Sequence, residues 1–219
     1  LGGGVVVAAM ILAAFSLSDW NVRRLTERVN TLEREKQQLM DHAQRLSATR
    51  RVAQVEVLRQ EPDERGRTVT TLLWQEIGPK GTLGKPQGVD ALGRQIYFEA
   101  LVIKFQTALV GEGDPSRGHS LAMFRRVYGD QQAPESAPDT NRASRPPLDD
   151  PRDSDALHDR LWALFWKMTE DPAVAAQYGV RVAQSEAPSV RVEPGQFWQV
   201  SLDANGGLNL SRLMPRAAP

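Results

Sequence analysis

Val22–Leu46 reads VRRLTERVNTLEREKQQLMDHAQRL, and this stretch decides how the rest of the chain is read. Leu25, Leu32, Leu39 and Leu46 recur every seven residues, with Val22, Val29, Lys36 and Ala43 three residues ahead of each. That is an a/d seam with leucine at every d position. An apolar repeat averaging 3.5 residues lets two helices supercoil with their seams in contact. The b, c and f positions Arg23, Arg24, Glu27, Asn30, Thr31 and Arg34 are polar, which favours a coiled coil over one helix packed on its own domain. Valine at a with leucine at d favours a parallel pair, and Arg28 at g faces Glu33 at the following e position of such a pair. Lys36 is the one charged a residue, which suggests a register or partner choice rather than maximal stability. The oligomerisation residues are therefore Val22, Leu25, Val29, Leu32, Lys36, Leu39, Ala43 and Leu46, and the partner is a second copy or a related coiled-coil subunit.

Upstream, Leu1–Leu17 reads LGGGVVVAAMILAAFSL and carries no charge. At a rise of about 1.5 Å per residue it covers roughly 25 Å, slightly short of a bilayer core of about 30 Å. The sequence begins with Leu1 rather than Met, so further residues are expected upstream to complete a span. Trp20 follows where an interfacial aromatic belongs. The reading preferred here is an uncleaved transmembrane anchor over 1–20. A signal-peptide apolar region and a buried core helix are the rival readings.

Downstream of about Arg50 the apolar period changes from helical to two. Val52–Leu58 and Thr68–Trp74 read as strands, and Ile77–Gly93 reads as a long glycine- and proline-rich loop. Gln95–Val110 reads as a central strand or as two strands joined by a bend, Gly111–Gly118 as a turn and Ser120–Tyr128 as another strand. Residues 131–150 form a Pro-, Ser- and Asp-rich linker or surface excursion. Leu157, Leu161, Leu164, Phe165 and Met168 then recur at helical spacing, flanked by Trp162 and Trp166, behind a cap at Ser154. Asp171-Pro172 restarts a short helix that Gly179 ends. A β-meander over Val180–Arg212 closes the chain, with Pro194-Gly195 and Asn205-Gly206 as tight turns. The expected organisation is thus 1–20 anchor, 21–50 coiled-coil stalk, 51–130 first part of a β-rich domain, 131–150 excursion, 151–213 helix and meander completing that domain, and 214–219 tail. The expected fold class is membrane-anchored α+β: a transmembrane helix, a stalk and a mostly-β soluble domain with one amphipathic helix.

Composition narrows the chemistry. With no cysteine, disulfides, thiolate metal sites and a cysteine nucleophile are excluded. Basic and acidic residues balance at 27 each, so no overall field draws nucleic acid, and none is expected as a partner. The acidic run Asp149, Asp150, Asp153 and Asp155 lacks the glycine and glutamate of a calcium loop, and reads as a solvated stretch before a helix N-terminus. Asp114, Ser116, His119 and Ser120 sit together without a nucleophile elbow and read as a loop. An anchored hydrolase or metal-dependent enzyme built on the run 149–155 or on His119 is the alternative function; no catalytic residue, metal or cofactor is assigned. Phe124, Arg125, Arg126 and Tyr128 mix basic and aromatic groups, and read as a strand edge or protein contact rather than a base-stacking surface. Trp162 and Trp166 are the candidate partner-binding residues, since tryptophan is enriched where proteins bind one another.

The order of apolar segment, zipper and β-rich domain resembles the envelope scaffold proteins of bacterial cell-shape and division machineries, the MreC family and the shorter FtsB and FtsL type. Coiled-coil subunits of pilus and secretion platforms share the plan. The likeness is one of architecture, and the helix between the strands departs from the two small β-barrels of the MreC pattern, so no site residue is carried over. It implies a non-catalytic, single-pass scaffold or accessory subunit of a membrane complex. Its domain would be periplasmic, and its partners would be the lipid bilayer and other proteins of the cell envelope.

Overall fold

The structure, a computed structural model, describes residues 2–78, 81–137 and 156–214; for 2–19, 21, 22 and 51 the backbone alone is described. The chain divides into two compact units, Leu1–Ala43 and Gln44–Pro219.

The first unit is the bulk of one helix, α1 (Gly2–Leu46). No proline or glycine interrupts it after Gly4, and side chains on its polar faces brace it locally. Thr31 Oγ1 donates to the Glu27 carbonyl at 2.9 Å, and Gln37 donates to Asp41 at 2.8 Å, both one turn apart. The Arg24 guanidinium lies 5.3 Å from the centre of the exposed Trp20 ring. The expected transmembrane anchor is not supported: among the described residues no helix is long and apolar enough to cross a membrane. α1 has the length, 45 residues, but it carries charges along its course from Asp19 to Arg45. The side chains of the charge-free run Leu1–Leu17 lie outside the described residues. The membrane-anchored fold class falls with that span, and so do the single-pass localisation and the periplasmic, cell-envelope placement built on it.

The second unit is mostly β. Its first sheet has five antiparallel strands in the order β3-β2-β1-β8-β9. They are β1 (Thr49–Pro62), β2 (Thr68–Glu76), β3 (Gln87–Leu92), β8 (Phe197–Asp203) and β9 (Leu208–Leu213). The second sheet is built on β4 (Gln95–Phe105). β5 (Leu121–Gly129) pairs along one edge of β4, while β6 (Val180–Glu186) and β7 (Ser189–Arg191) share the other.

Period-two alternation sorts these strands into layers. Ala53, Val55 and Val57 of β1, Leu72 and Trp74 of β2, and Val200 and Leu202 of β8 face Ile96, Phe98, Ala100 and Val102 of β4. They form a core between the sheets in which Trp74 meets Phe124 edge-on at 4.7 Å. The opposite face of β4 gives Ile103 and Phe105 to a second core with Leu121, Met123, Leu161, Trp162, Phe165 and Met168. β4 is thus buried on both faces, which explains its almost continuous apolar run. Close approach also fixes small residues: a Cβ on Gly129 would lie 2.0 Å from the Leu92 carbonyl oxygen, so only glycine fits where β5 passes β3.

Three further expectations are corrected. The long loop assigned to Ile77–Gly93 contains β3, whose Val89 and Ala91 alternate weakly among glycines but pair with β2 as an edge strand. The strand assigned to Gln95–Val110 stops at Phe105; Thr107–Glu112 forms helix α2, closed by Gly113 at φ 75°, which turns Val110 into the second core. The single amphipathic helix over Leu157–Met168 is two short ones, α3 (Ala156–Ala163) and α4 (Phe165–Glu170), while the short helix expected from Asp171-Pro172 is α5 (Pro172–Gln177). Leu164, at φ −101° and ψ 4°, separates α3 from α4, and Leu161 and Phe165, one turn apart on the same face, both lie in the core. The Asp171 carboxylate caps α5 by accepting from the amides of Ala173 and Val174. Ser154, the acidic run Asp149–Asp155 and most of the 131–150 excursion lie outside the described residues.

Candidate oligomerisation and partner surfaces

The seam residues of α1 are displayed rather than packed. Leu25 is 63% exposed, Leu32 56%, Leu39 70% and Val29 50%, and among the described residues no side chain of the first unit covers them. Lys36 and Ala43 are also exposed; the Val22 side chain lies outside the described residues. Between Leu32 and Ala43 these residues frame a shallow apolar groove lined by Leu32, Glu35, Lys36, Leu39, Met40 and Ala43. Leu46 differs. It belongs to the second unit and packs, half-buried, against the second core. The last leucine of the heptad pattern is therefore a domain residue, and the exposed stretch of the seam ends at Ala43.

The tryptophans are also placed by packing. Trp162 is 3% exposed and stacks on Phe165 at 5.3 Å, while its Nε1–H donates to His158 Nε2 at 3.0 Å. It has no face left for a partner. Trp166, half-buried, meets Phe165 edge-on at 5.7 Å and packs on the same core.

The solvent side of the five-stranded sheet offers a surface that sequence reading passed over. The register places Leu73, Glu56, Phe197 and Leu213 in one row across β2, β1, β8 and β9. Phe197 is 41% exposed, and a shallow pocket with Leu73 and Leu213 lies beside Glu56. The signal was an apolar residue on the polar phase of β8, where Val200 and Leu202 mark the buried phase.

Polar chemistry within the domain is largely satisfied internally. A bulge sets Glu99 opposite Arg126 and Ala100 opposite Phe124, leaving Arg125 as the extra residue. Both arginines thereby approach one carboxylate: Arg125 lies 3.6 Å and Arg126 3.9 Å from Glu99, which also accepts from Ser185 at 3.1 Å. Tyr128 stacks parallel on Tyr97 at 5.1 Å, and burial with the nearby Glu99 charge pushes its hydroxyl pKa up. Phe124 lies in the core beneath, so the basic–aromatic cluster of the sequence is split between two environments. Lys104 and Glu186 form a mostly buried pair at 2.6 Å. Burial alone would raise the Glu186 pKa, but Lys104, the Leu208 amide and Gln184 outweigh it and hold the carboxyl below its ordinary value.

In the His119 loop, the Asp114 carboxylate is held by Arg117 at 2.7 Å and by the Ser116 and Arg117 amides. The Arg117 hydrogen bond is the leading reason its pKa is lowered. The Ser120 hydroxyl donates to the Ala204 carbonyl at 3.0 Å. Partial desolvation, with Arg50 nearby, lowers the His119 pKa. Among the described residues no group of three or more His, Asp or Glu is placed to hold a metal ion. No protein-family profile, curated protein or solved structure matches the chain.

Proposed function

We propose that this chain is a non-catalytic assembly protein. Its helix α1 associates in a coiled coil with a second copy or a related subunit, and its β-rich domain engages a protein partner. The observation that carries this reading is the run of exposed heptad residues from Leu25 to Ala43 on an uninterrupted helix. A leucine stripe left bare in water is unfavourable, and pairing with another such helix removes it. The exposed Phe197, beside half-buried Leu73 and Leu213 on the solvent face of the sheet, is the domain's candidate contact point. Sedimentation velocity of the full chain over a range of concentrations is the test. Association is expected; a chain that stays monomeric at the highest concentration rules the coiled coil out.

A further inference from the structure

The groove on α1 has the residue layout of a coiled-coil seam. Its six lining residues, Leu32, Glu35, Lys36, Leu39, Met40 and Ala43, fall at heptad positions d, g, a, d, e and a. In a parallel two-stranded coiled coil, each a side chain enters a hole made by d, g, a and d of the facing helix; each d side chain enters one made by a, d, e and a. Leu32, Glu35, Lys36 and Leu39 are a hole of the first kind. Lys36, Leu39, Met40 and Ala43 are a hole of the second. The groove is therefore two successive holes that share Lys36 and Leu39, and the side chains due to enter them are an a and a d residue one after the other.

We infer that α1 pairs in parallel and in register with α1 of a second copy, and that Lys36 fixes the register through Glu35 of the facing chain. This rests on the coiled-coil reading above and deepens it by naming the partner. An ammonium carried into a seam needs a counter-charge. In the in-register parallel pair, the hole that receives Lys36 contains Glu35 of the facing helix, so two symmetry-related Lys36–Glu35 pairs form. A shift by one heptad destroys both: the hole then contains Arg28 for one chain and His42 for the other. Antiparallel pairing sets Lys36 against a leucine of the d series. The in-register arrangement also brings Arg28 to Glu33 of the facing chain, a second complementary pair on the same side of the seam.

The test uses the full chain. Glu35→Lys and Lys36→Glu each leave like charges around the hole, and each is expected to weaken self-association by about tenfold or more. An equimolar mixture of the two variants restores it as a heterodimer, because one chain then carries two lysines and the other two glutamates. Because the chain has no cysteine, Leu25→Cys adds a single thiol that crosslinks to its own copy only when the helices run parallel and in register. Circular dichroism confirms that the variants keep their helix. If the unmodified chain does not associate, the coiled-coil reading itself fails. If it associates but mixing restores nothing, or Leu25→Cys gives no crosslink under oxidant, the parallel in-register pairing is wrong while the coiled coil stands.

Discussion

Truncating Leu39 to alanine isolates the seam from the domain. Leu39 is the most exposed of the d-position leucines, at 70%, and lies in the centre of the groove. The substitution removes three carbons, and each buried methylene contributes about 0.8 kcal/mol, so full burial would be lost at about 2.4 kcal/mol per chain. Scaling by the exposed fraction and counting both chains gives about 2–4 kcal/mol per dimer. At 1.4 kcal/mol per tenfold, that is a dissociation constant raised roughly 30- to 700-fold. Alanine is a good helix former, so helix content within the monomer is preserved. The assay is sedimentation equilibrium of the full chain and of Leu39→Ala at matched concentrations, with urea unfolding of the β-rich domain as control. An unchanged dissociation constant in a chain that does self-associate would refute the reasoning, because Leu39 would then lie outside the interface. A loss of domain stability would refute it too, because Leu39 belongs to the other compact unit.

Leu46→Ala is expected to do the opposite: about 1–2 kcal/mol less domain stability by urea denaturation, half the range of a fully buried leucine, with self-association unchanged. Domain stability is also expected to fall with acid through Glu186, whose folded pKa lies below its ordinary 4.5. A depressed carboxyl pKa contributes stability that is complete above the unfolded value and is lost as pH falls from 4.5 through the folded pKa. The pH dependence of the urea midpoint checks this, and Glu186→Gln should flatten the profile in that window.

Much of the secondary structure was legible because its signals are local. The heptads, the Asp171-Pro172 helix start and the alternating valines of β1 depend on residues a few positions apart, and the structure has helix or strand at each. What failed there had competing local signals: glycines masked β3, and an apolar run continuing past Phe105 hid α2. The membrane span rested on a charge-free apolar run and a flanking Trp20, and the helix that includes it is charged over more than half its length.

The sequence by itself determined that a leucine repeat exists, that the domain after it is β-rich, and that thiol chemistry is absent. Those follow from period and composition, which need no partner in space. Tertiary structure alone decided which leucines are free. Leu39 and Leu46 occupy the same heptad position, yet Leu39 is bare while Leu46 is spent on the second core. Trp162 and Phe197 exchange roles in the same way: the tryptophan expected to meet a partner is buried, and the phenylalanine of an ordinary strand is exposed. Periodicity says which side chains share a face. What that face meets depends on residues more than a hundred positions away, and only folding brings them together.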